Sequence, residues 1–331
     1  MNKILTKKLN KKNVLVDSYG RTINYLRLSV TDRCNYRCTY CMPEKMKFLP
    51  KQDLLTLEEM DHLCGLFIAR GIKNIRLSGG EPLVRKGIIK FISNLSRYIE
   101  SNELNEITLT TNGSQLKSCS QDLYEAGVRR INVSLDSLKE KKFNDITRRD
   151  DLINVLDGLE VAKKAGLKIK INTVVIKNKN LDEINKIISW AHHNNFDISL
   201  IETMPMGLTD KDRIDQYISL SDVKKLILKD YTLVDSSFKT SGPSLYNKIK
   251  ETNGLVGFIT PLSNNFCASC NRVRLTCTGK LYMCLGQNNN IDFRNLLRQG
   301  DEILLNNAID MAMKNKPKSH DFDISYKNQA P

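Results

Sequence analysis

Six short runs rich in β-branched residues alternate with amphipathic stretches through the first two-thirds of the chain, at a spacing of about thirty residues. This alternation is typical of an α/β fold in which helices connect the neighbouring strands of a parallel sheet. The predicted strands are residues 25–30, 74–78, 106–110, 130–135, 168–176 and 197–202, with helices beginning near residues 57, 86, 115, 138, 152 and 181. Right-handed crossovers predict an incomplete (β/α)6 TIM-type barrel, two units short of closure.

Polar and glycine residues follow the first three predicted strands, in the Cys34 loop, in residues 78–82 and in residues 110–113. Loops that follow parallel strands meet at one rim of a barrel, where active sites are found. We therefore expect one site built from several loops. The alternation lapses after Glu202, and the predicted organisation is a basic arm (1–16), a partial barrel (17–206), a C-terminal region (207–316) and a polar tail (317–331).

The charge balance favours polyanionic partners, because 51 Lys and Arg face 37 Asp and Glu in 331 residues. Residues 1–14 are basic without an apolar run, and no window approaches eighteen apolar residues, so we expect a cytoplasmic protein without a membrane span. No P-loop motif is present, which disfavours GTP hydrolysis of that type. Aromatic residues are only 7% of the chain and do not interleave with a basic run, which disfavours RNA.

Six of the nine cysteines form two clusters, and in a chain without an export signal such clusters indicate metal ligands rather than disulfides. The first cluster is Cys34, Cys38 and Cys41. Structural zinc sites close with four ligands, and the nearest further candidate is the distant His62. A 4Fe-4S cube held by three cysteines leaves one iron open for a small molecule. The spacing favours the cube, and a zinc knuckle closed by a distant ligand is the alternative.

The second cluster is Cys267, Cys270 and Cys284, again with three thiols. A second open iron is indicated, and the alternative is a zinc ribbon with Cys277 as its fourth ligand. Cys277 lies in a predicted hairpin at residues 274–281, so strand alternation is expected to direct its thiol. The neighbouring Arg272 and Arg274 are two residues apart and project to one face of a strand, where two guanidinium groups can bind phosphate oxygens.

The first cysteine cluster, with Tyr40 before its last cysteine, resembles the signature of radical S-adenosylmethionine enzymes. The resemblance implies an open iron that chelates S-adenosylmethionine, and one-electron cleavage of its sulfonium to a 5'-deoxyadenosyl radical. Gly79, Gly80, Glu81 and Pro82 resemble the motif whose backbone and carboxylate hold the methionine amino group in that superfamily. By this resemblance the S-adenosylmethionine pocket comprises Tyr40, Gly80, Glu81, Thr110, Ser134 and Met204.

Residues 266–276 and 279–284 resemble the C-terminal signature of the GTP 3',8-cyclases of molybdenum cofactor biosynthesis, and the likeness extends from about residue 17 to residue 286. It implies a C-terminal extension that closes the open side of the barrel and carries a second 4Fe-4S cluster, whose open iron binds guanine. The resemblance assigns the triphosphate to basic residues of the barrel and the extension. They are Arg27, Arg76, Lys170, Arg272 and Arg274.

The implied reaction begins when the radical removes the ribose 3' hydrogen of GTP, after which the carbon radical attacks C8 of guanine. The expected products are 3',8-cyclo-7,8-dihydro-GTP, 5'-deoxyadenosine and methionine, and no acid or base is assigned. Expected partners are a one-electron reductant such as flavodoxin or ferredoxin, the next enzyme of the pathway and a second copy of the chain.

Three positions depart from the family pattern. Asn74 and Ser199 stand where the family usually has the phosphate ligands Lys and Arg, while the chain ends in Ala330 and Pro331 instead of the usual Gly-Gly. Lys73 is expected to point to the other face of its strand. Two alternatives therefore remain beside GTP cyclisation. One is a radical enzyme acting on a peptide or RNA, and the other is a zinc-binding interaction protein.

Overall fold

The computed structural model describes residues 14–207 and 214–322, and its centre is a curved parallel sheet in chain order. The strands are β1 (Tyr25–Ser29), β2 (Asn74–Ser78), β3 (Glu106–Thr111), β4 (Arg130–Ser134), β5 (Lys168–Val175) and β6 (Asp197–Glu202). The helices between them are α1 (Leu57–Ala69), α2 (Ile88–Glu100), α3 (Leu116–Glu125), α4 (Glu140–Thr147), α5 (Leu152–Lys164) and α6 (Ile184–His193). All six predicted strands are confirmed, with ends that differ by at most one residue.

The chain after β6 extends this sheet at both of its edges. The added elements are α7 (Leu220–Ile227), β7 (Leu233–Asp235), β8 (Leu245–Ile249), β9 (Leu255–Ile259), β10 (Arg272–Leu275), β11 (Lys280–Tyr282), β12 (Asn290–Asp292), α8 (Phe293–Gln299) and α9 (Glu302–Lys314). The sheet order is β12-β11-β10-β1-β2-β3-β4-β5-β6-β9-β8-β7, with β9 parallel to β6 and β10 parallel to β1. The partial barrel is confirmed, and its parallel part is longer than the six predicted strands.

Strict alternation along the strands gives the sheet one apolar and one polar face. On β1, Leu26 and Leu28 are fully buried, and they alternate with Tyr25 and Arg27. Because side chains on a strand point to opposite faces with a period of two, the leucines share the apolar face that packs under the helices. The arginine therefore lies on the concave polar face, which lines the interior of the partial barrel.

Local sequence signals explain the helix that follows the first cysteine loop. The hydroxyl of Thr56 accepts a hydrogen bond from the Glu59 backbone (3.1 Å), and the Glu59 carboxylate accepts one from the Thr56 backbone (2.8 Å). This reciprocal capping box satisfies two amides that the first turn of α1 leaves without helical partners. The helix ends before Gly71, whose φ of +98° is a left-handed conformation that glycine tolerates.

A segment between β7 and β8, residues 240–244, crosses the interior at the amino ends of the central strands; we call it the floor segment. Ser241 donates to Asn74 (3.1 Å) and Glu106 (3.3 Å), which are the first residues of β2 and β3. The hydroxyl of Ser244 lies 3.0 Å from that of Ser199 on β6. The floor segment thus spans the barrel interior from β2 to β6.

The side chain of Arg21, near the start of the described chain, forms hydrogen bonds with the backbone near its end. Its guanidinium donates to the backbone oxygens of Cys267 (2.8 Å), Pro317 (2.5 Å) and Lys318 (2.7 Å) and forms an ion pair with Asp17. The residues around the second cysteine cluster are therefore held by a hairpin that precedes β1. None of the helices in residues 14–207 and 214–322 has the length and apolar character to cross a bilayer.

Candidate active site

The first cysteine cluster lies in the loop that follows β1, at the carboxyl rim of the barrel. Cys41 is exposed, and Cys34 and Cys38 are half-buried. The backbone of Tyr36 donates to the Cys34 sulfur (3.4 Å), and the backbone of Cys41 donates to the Cys38 carbonyl (2.9 Å). The loop therefore turns back on itself, and one sulfur already accepts a hydrogen bond from the backbone.

The Gly-Gly turn at the end of β2 packs directly against this cysteine loop. The backbone of Gly80 donates to Thr31 O (2.9 Å), and that of Glu81 donates to Arg33 O (2.8 Å). A Cβ atom on Gly80 would lie 2.1 Å from Arg33 O and 2.8 Å from Cys34 N, both of them backbone atoms. Only glycine permits this approach, which gives the motif a physical reason beyond an ordinary turn.

Glu81 is almost fully buried, and its carboxylate is directed at β3. The carboxylate accepts hydrogen bonds from Leu83 N (3.0 Å), Thr111 Oγ1 (2.8 Å) and Asn112 N (2.7 Å). Burial raises the pKa of Glu81 to about 7, against the lowering effect of these donors. The Asn112 amide continues towards the cysteine loop and lies 3.9 Å from the Cys34 sulfur. Glu81 thus orders the rim of β3 around the loop.

Tyr40 attaches the other end of the cysteine loop to β4 and β5. Its hydroxyl donates to Asp136 (2.7 Å), whose second oxygen accepts from Val174 N (2.8 Å). Burial raises the pKa of Asp136 to about 6, although both hydrogen bonds favour the carboxylate. A buried carboxyl group therefore lies next to the first cysteine cluster.

The remaining predicted S-adenosylmethionine residues lie on the same rim. Thr110 belongs to β3, Ser134 ends β4 and Met204 follows β6, and each side chain is half-buried. The segment after β6 approaches the cysteine loop, because a Cβ atom on Gly207 would lie 2.4 Å from Cys41 O. These predicted residues thus lie at the rim of the barrel that also carries the first cysteine cluster.

Four predicted phosphate ligands, Arg27, Arg76, Arg272 and Arg274, lie side by side on the concave face. Arg27 is the register partner of both Arg76 on β2 and Arg274 on β10. Among the residues that the structure describes, no carboxylate forms an ion pair with any of the four. Neutral groups contact them instead: Arg27 donates to Ser78 (3.1 Å) and Arg76 to Thr108 (3.3 Å).

The positive charge of this arginine group is uncompensated. Burial lowers the pKa of Arg274 to about 9, and the neighbouring Arg27 and Arg272 lower it as well. The Nε atoms of Arg272 and Arg274 are buried and have no hydrogen-bond partner within the described ranges. Because buried charges require a counter-charge and buried donors require an acceptor, this part of the interior fits a polyanion.

Two tyrosines accompany the cations, and sequence analysis did not identify either. The guanidinium groups of Arg76 (5.7 Å) and Arg272 (5.6 Å) both lie near the Tyr25 ring. Lys170 is buried on β5 and donates to the Tyr246 hydroxyl (3.1 Å). Burial lowers the pKa of Lys170, and Arg76 lowers it too, so Lys170 shares the interior with the arginine group. Strand alternation from Arg27 could have identified Tyr25.

The two neutral departures from the family pattern contact the floor segment. Asn74 accepts from Ser241, and Ser199 pairs with Ser244. A Cβ atom on Gly257 of β9 would lie 2.1 Å from the Ser244 hydroxyl, so the floor segment is closely packed here. The Lys73 ammonium donates to Glu103 O (2.9 Å), in the segment that precedes β3.

The second cysteine cluster lies at the opposite end of the strands. Cys267 begins a short 3-10 turn before β10, Cys270 follows this turn, and Cys284 follows β11. Burial acts to raise the pKa of Cys270, but Lys316, the Arg272 backbone and two arginines outweigh it, so this pKa is lowered. Burial raises the pKa of Cys284, against the opposing effect of Lys316. Lys316 was not identified from the sequence.

Cys277 is separated from the second cluster by the length of β10. Cys270 precedes this strand, whereas Cys277 follows it, is buried, and accepts from Leu55 N (2.8 Å) through its carbonyl. Across the described residues, no three His, Cys, Asp or Glu side chains converge as ligands of a single metal ion. This arrangement does not favour a zinc ribbon that includes Cys277. In a cube the cysteines bind different irons, so such convergence is not needed.

The two cysteine clusters therefore lie at opposite ends of the barrel, with the arginine group between them. Tyr25 at the start of β1 is the register partner of Arg272, two residues after Cys270, while Cys34 follows the other end of β1. A five-residue strand spans roughly 15 Å. The interior between the clusters is long enough for a small molecule that contacts both ends.

Known proteins share this architecture. The model of the radical SAM superfamily matches residues 28–191, and that of Molybdenum Cofactor Synthesis C matches residues 196–322. Two crystal structures of Streptococcus suis SuiB have the same fold. The one bound to S-adenosylmethionine gives a TM-score of 0.62 at 14% identity, covering 93% of this chain and 78% of that one. The one bound to precursor peptide SuiA gives 0.63 at 16%, covering 90% and 68%.

The partial barrel, its cysteine loop and these matches define a radical S-adenosylmethionine enzyme, a class that uses S-adenosylmethionine and an iron–sulfur cluster. The GTP 3',8-cyclases of Brucella ovis and Brucella suis are each 55% identical to this chain over 318 residues, covering 96% of the chain and 92% of the relative. The chain belongs to the GTP 3',8-cyclase family.

Proposed function

We propose that this chain is a GTP 3',8-cyclase, which converts GTP to (8S)-3',8-cyclo-7,8-dihydroguanosine 5'-triphosphate in the first step of molybdenum cofactor biosynthesis. The observation that carries the proposal is the buried arginine group between the two cysteine clusters, which has no carboxylate partner among the described residues. A triphosphate supplies the missing negative charge and accepts from the orphaned Nε atoms.

The first cysteine cluster is proposed to hold the 4Fe-4S cluster through Cys34, Cys38 and Cys41. Together with S-adenosylmethionine, the bound 4Fe-4S cluster would supply the 5'-deoxyadenosyl radical. Tyr40, Gly80, Glu81, Thr110, Ser134 and Met204 are proposed to form the cofactor pocket. The Glu81 carboxylate already accepts three hydrogen bonds from β3 and its own turn, so its proposed part is to position the Gly80–Glu81 backbone beside the cysteine loop.

The triphosphate is proposed to bind Arg27, Arg76, Lys170, Arg272 and Arg274. Guanidinium forks suit phosphate oxygens because each can donate two parallel hydrogen bonds. At two family phosphate positions this chain has Asn74 and Ser199, which contact the serines of the floor segment. Ser241 and Ser244 thus lie beside the two positions where the family has cations. The three cations of the barrel and the two of β10 are proposed to suffice for binding the triphosphate of GTP.

The second cluster is proposed to be a 4Fe-4S cube on Cys267, Cys270 and Cys284, with its open iron binding guanine. The second cluster lies at the amino end of the strands, opposite the first cluster. Guanine bound there would leave the ribose of GTP in the interior between the two cysteine clusters, which supports the proposal. The predicted reductant of flavodoxin or ferredoxin type, the next enzyme of the pathway, the homodimer and the cytoplasmic location also stay proposals, as do the predicted segment boundaries.

The experiment that tests the proposal uses protein reconstituted anaerobically with iron and sulfide and then reduced. S-adenosylmethionine is added with GTP, with ATP or alone, and products are identified by mass spectrometry. Cyclised guanine nucleotide, 5'-deoxyadenosine and methionine are expected with GTP. GTP deuterated at the ribose 3' position is expected to transfer deuterium to 5'-deoxyadenosine, which reports the site of hydrogen removal.

Deoxyadenosine formation with unchanged GTP would contradict the cyclase and favour the alternative of a peptide or RNA substrate. A colourless protein that retains zinc and never cleaves S-adenosylmethionine would contradict the radical enzyme itself. The ATP reaction serves as the control for guanine recognition, since ATP offers the arginine group the same triphosphate.

A further inference from the structure

Lys316, immediately after α9, has one of the most deeply buried charged side chains of the molecule, with 2% of its surface exposed. Its Nζ atom donates to Arg272 O (3.0 Å) and Met283 O (2.6 Å) and lies 3.6 Å from the Cys270 sulfur. Arg272 follows Cys270 by two residues, and Met283 directly precedes Cys284. One ammonium group therefore links the backbone segments that carry two cysteines of the second cluster.

The charge of this ammonium group has no carboxylate to balance it. In the described part of the chain, no Asp or Glu oxygen lies within ion-pair distance of Lys316, and the charged side chains that face it include the cationic Arg21 and Arg274. The two carbonyls satisfy its hydrogen bonds but carry no net charge. A buried cation without a counter-charge is costly, and the nearby groups that can become anionic are the sulfurs of Cys270 and Cys284, which are thiolates when they bind a metal.

The segment around Lys316 is also fastened so that the ammonium group stays in place. The Arg21 guanidinium donates to Pro317 O and Lys318 O, and the same group donates to Cys267 O. Lys316 and Arg21 thus connect the backbone around all three cysteines of the second cluster to residues 316–318. Hydrogen bonds and charge around metal ligands set both the affinity and the reduction potential of a cluster.

We propose that Lys316 is a positioning residue of the second iron–sulfur site, where its buried ammonium group orders the cysteine segments and stabilises the negative charge of the reduced cluster. This inference rests on the proposed second cluster. Reduction adds one electron to the cluster, supplied in the test by dithionite. A nearby positive charge favours the more negative reduced state, so neutralising Lys316 shifts the midpoint potential to a more negative value.

The test uses the full chain with Cys34, Cys38 and Cys41 changed to Ala, so that all bound iron reports on the second site. Lys316→Met and Lys316→Gln remove the charge, and the Gln amide still offers donors to the two carbonyls. Lys316→Arg keeps the charge, and Lys318→Met is the matched control at an exposed lysine of the same segment. Potentiometric titration followed by electron paramagnetic resonance measures the midpoint, and iron release to a chelator measures retention.

Both neutral variants are expected to shift the midpoint to more negative potential and to lose iron about tenfold faster or more, as changes around metal ligands commonly do. The Arg variant is expected to restore most of the midpoint, and Lys318→Met to match the parent. Unchanged midpoint and retention in Lys316→Gln would overturn the role of Lys316 while leaving the second cluster intact. A parent protein that binds no iron would overturn the second cluster itself, and the inference with it.

Discussion

The two cysteine clusters have opposite electrostatic surroundings, although each offers three thiols. Around the first, burial raises the pKa of Cys34 and Cys38, and the buried carboxyl groups of Glu81 and Asp136 add to the effect. Around the second, Lys316 and two arginines lower the pKa of Cys270 despite its burial. The difference follows from where the charged side chains lie. The acidic Glu81 and Asp136 follow the C-terminal ends of β2 and β4, whereas cations surround the start of β10.

This contrast fits a division of labour between the two sites. Negative surroundings disfavour a reduced cluster and make it a stronger electron donor, as cleavage of S-adenosylmethionine requires. Positive surroundings suit a site that retains negative charge and accepts an anionic ligand. The contrast therefore supports the proposal that the first site delivers an electron and the second holds the substrate.

The largest expected effect comes from replacing the cysteines, and it distinguishes the first cysteine cluster from the second. Changing Cys34, Cys38 or Cys41 to Ala is expected to abolish 5'-deoxyadenosine formation, because the open iron is lost. Changing Cys270 or Cys284 to Ala is expected to spare S-adenosylmethionine cleavage and abolish cyclised product. Mass spectrometry of both products measures this, with Cys119→Ala as the control. Equal residual cleavage in the two sets would refute the division of labour.

The next effect concerns the backbone contact at the first site. Gly80→Ala places a methyl group 2.1 Å from Arg33 O, so the cysteine loop has to move away from β2. We expect loss of cluster retention and of S-adenosylmethionine binding, measured by iron content and equilibrium dialysis. Gly65→Ala is the matched control, since its Cβ meets only the Tyr98 hydroxyl at the end of a side chain that can shift. Equal iron content in both variants would contradict the prediction.

In the arginine group, Arg274→Met is expected to change stability and binding in opposite directions. Without ligand, the variant should unfold at a higher temperature, because an uncompensated buried cation is removed. Its GTP affinity should fall about ten- to hundredfold, since a charged hydrogen bond contributes about 1.5–3 kcal/mol.

Calorimetry measures both quantities, with the exposed Arg129→Met as the control. A parallel loss of stability and affinity in Arg274→Met would mean that the arginine group is a structural element and not a phosphate site.

The smallest effect tests the buried carboxyl group beside the first cluster. The pKa of Asp136 is about 6 when folded, against an ordinary 3.8, so its contribution to stability is complete below about pH 4 and is lost as pH rises through about 6. Asp136→Asn keeps a partner for Tyr40 and removes this pH dependence, which amounts to at most about 3 kcal/mol at pH 7. Chemical unfolding of metal-free protein between pH 4 and 7 measures the pH dependence of stability, with the exposed Asp122→Asn as control. Identical pH profiles for the parent and Asp136→Asn would contradict the prediction.

Much of the barrel could be predicted because its strands obey a local rule. Leu26 and Leu28 pack under helices while Tyr25 and Arg27 face the interior, and polar loops end each strand, so periodicity alone located six strands to within one residue. The cysteine spacing likewise predicted two sets of metal ligands, because residues that are close in sequence can be grouped without a structure; this assignment stays a prediction.

What the sequence could not predict depends on contacts between distant segments. The pairing of Leu26 with Val273 joins residues far apart in the chain, and nothing local specifies which sheet edge β9 or β10 extends. Lys316 is one of 51 basic residues, and only its burial against Cys270 distinguishes it from a solvated lysine. Glu81 was predicted from the sequence as part of a motif, but the contacts of its carboxylate with Thr111 and Asn112 could be found only from the fold.

The contacts of Arg21 have a consequence for the order in which the protein matures. Translation produces the first cysteine loop and its six βα units before it produces Cys267, and Lys316, Pro317 and Lys318 follow still later. The second site acquires its ammonium group and its bracing carbonyls only when these late residues dock on Arg21. The backbone around Cys267 is therefore completed later in synthesis than the first cysteine loop, because its contacts depend on residues that are made about fifty positions further along the chain.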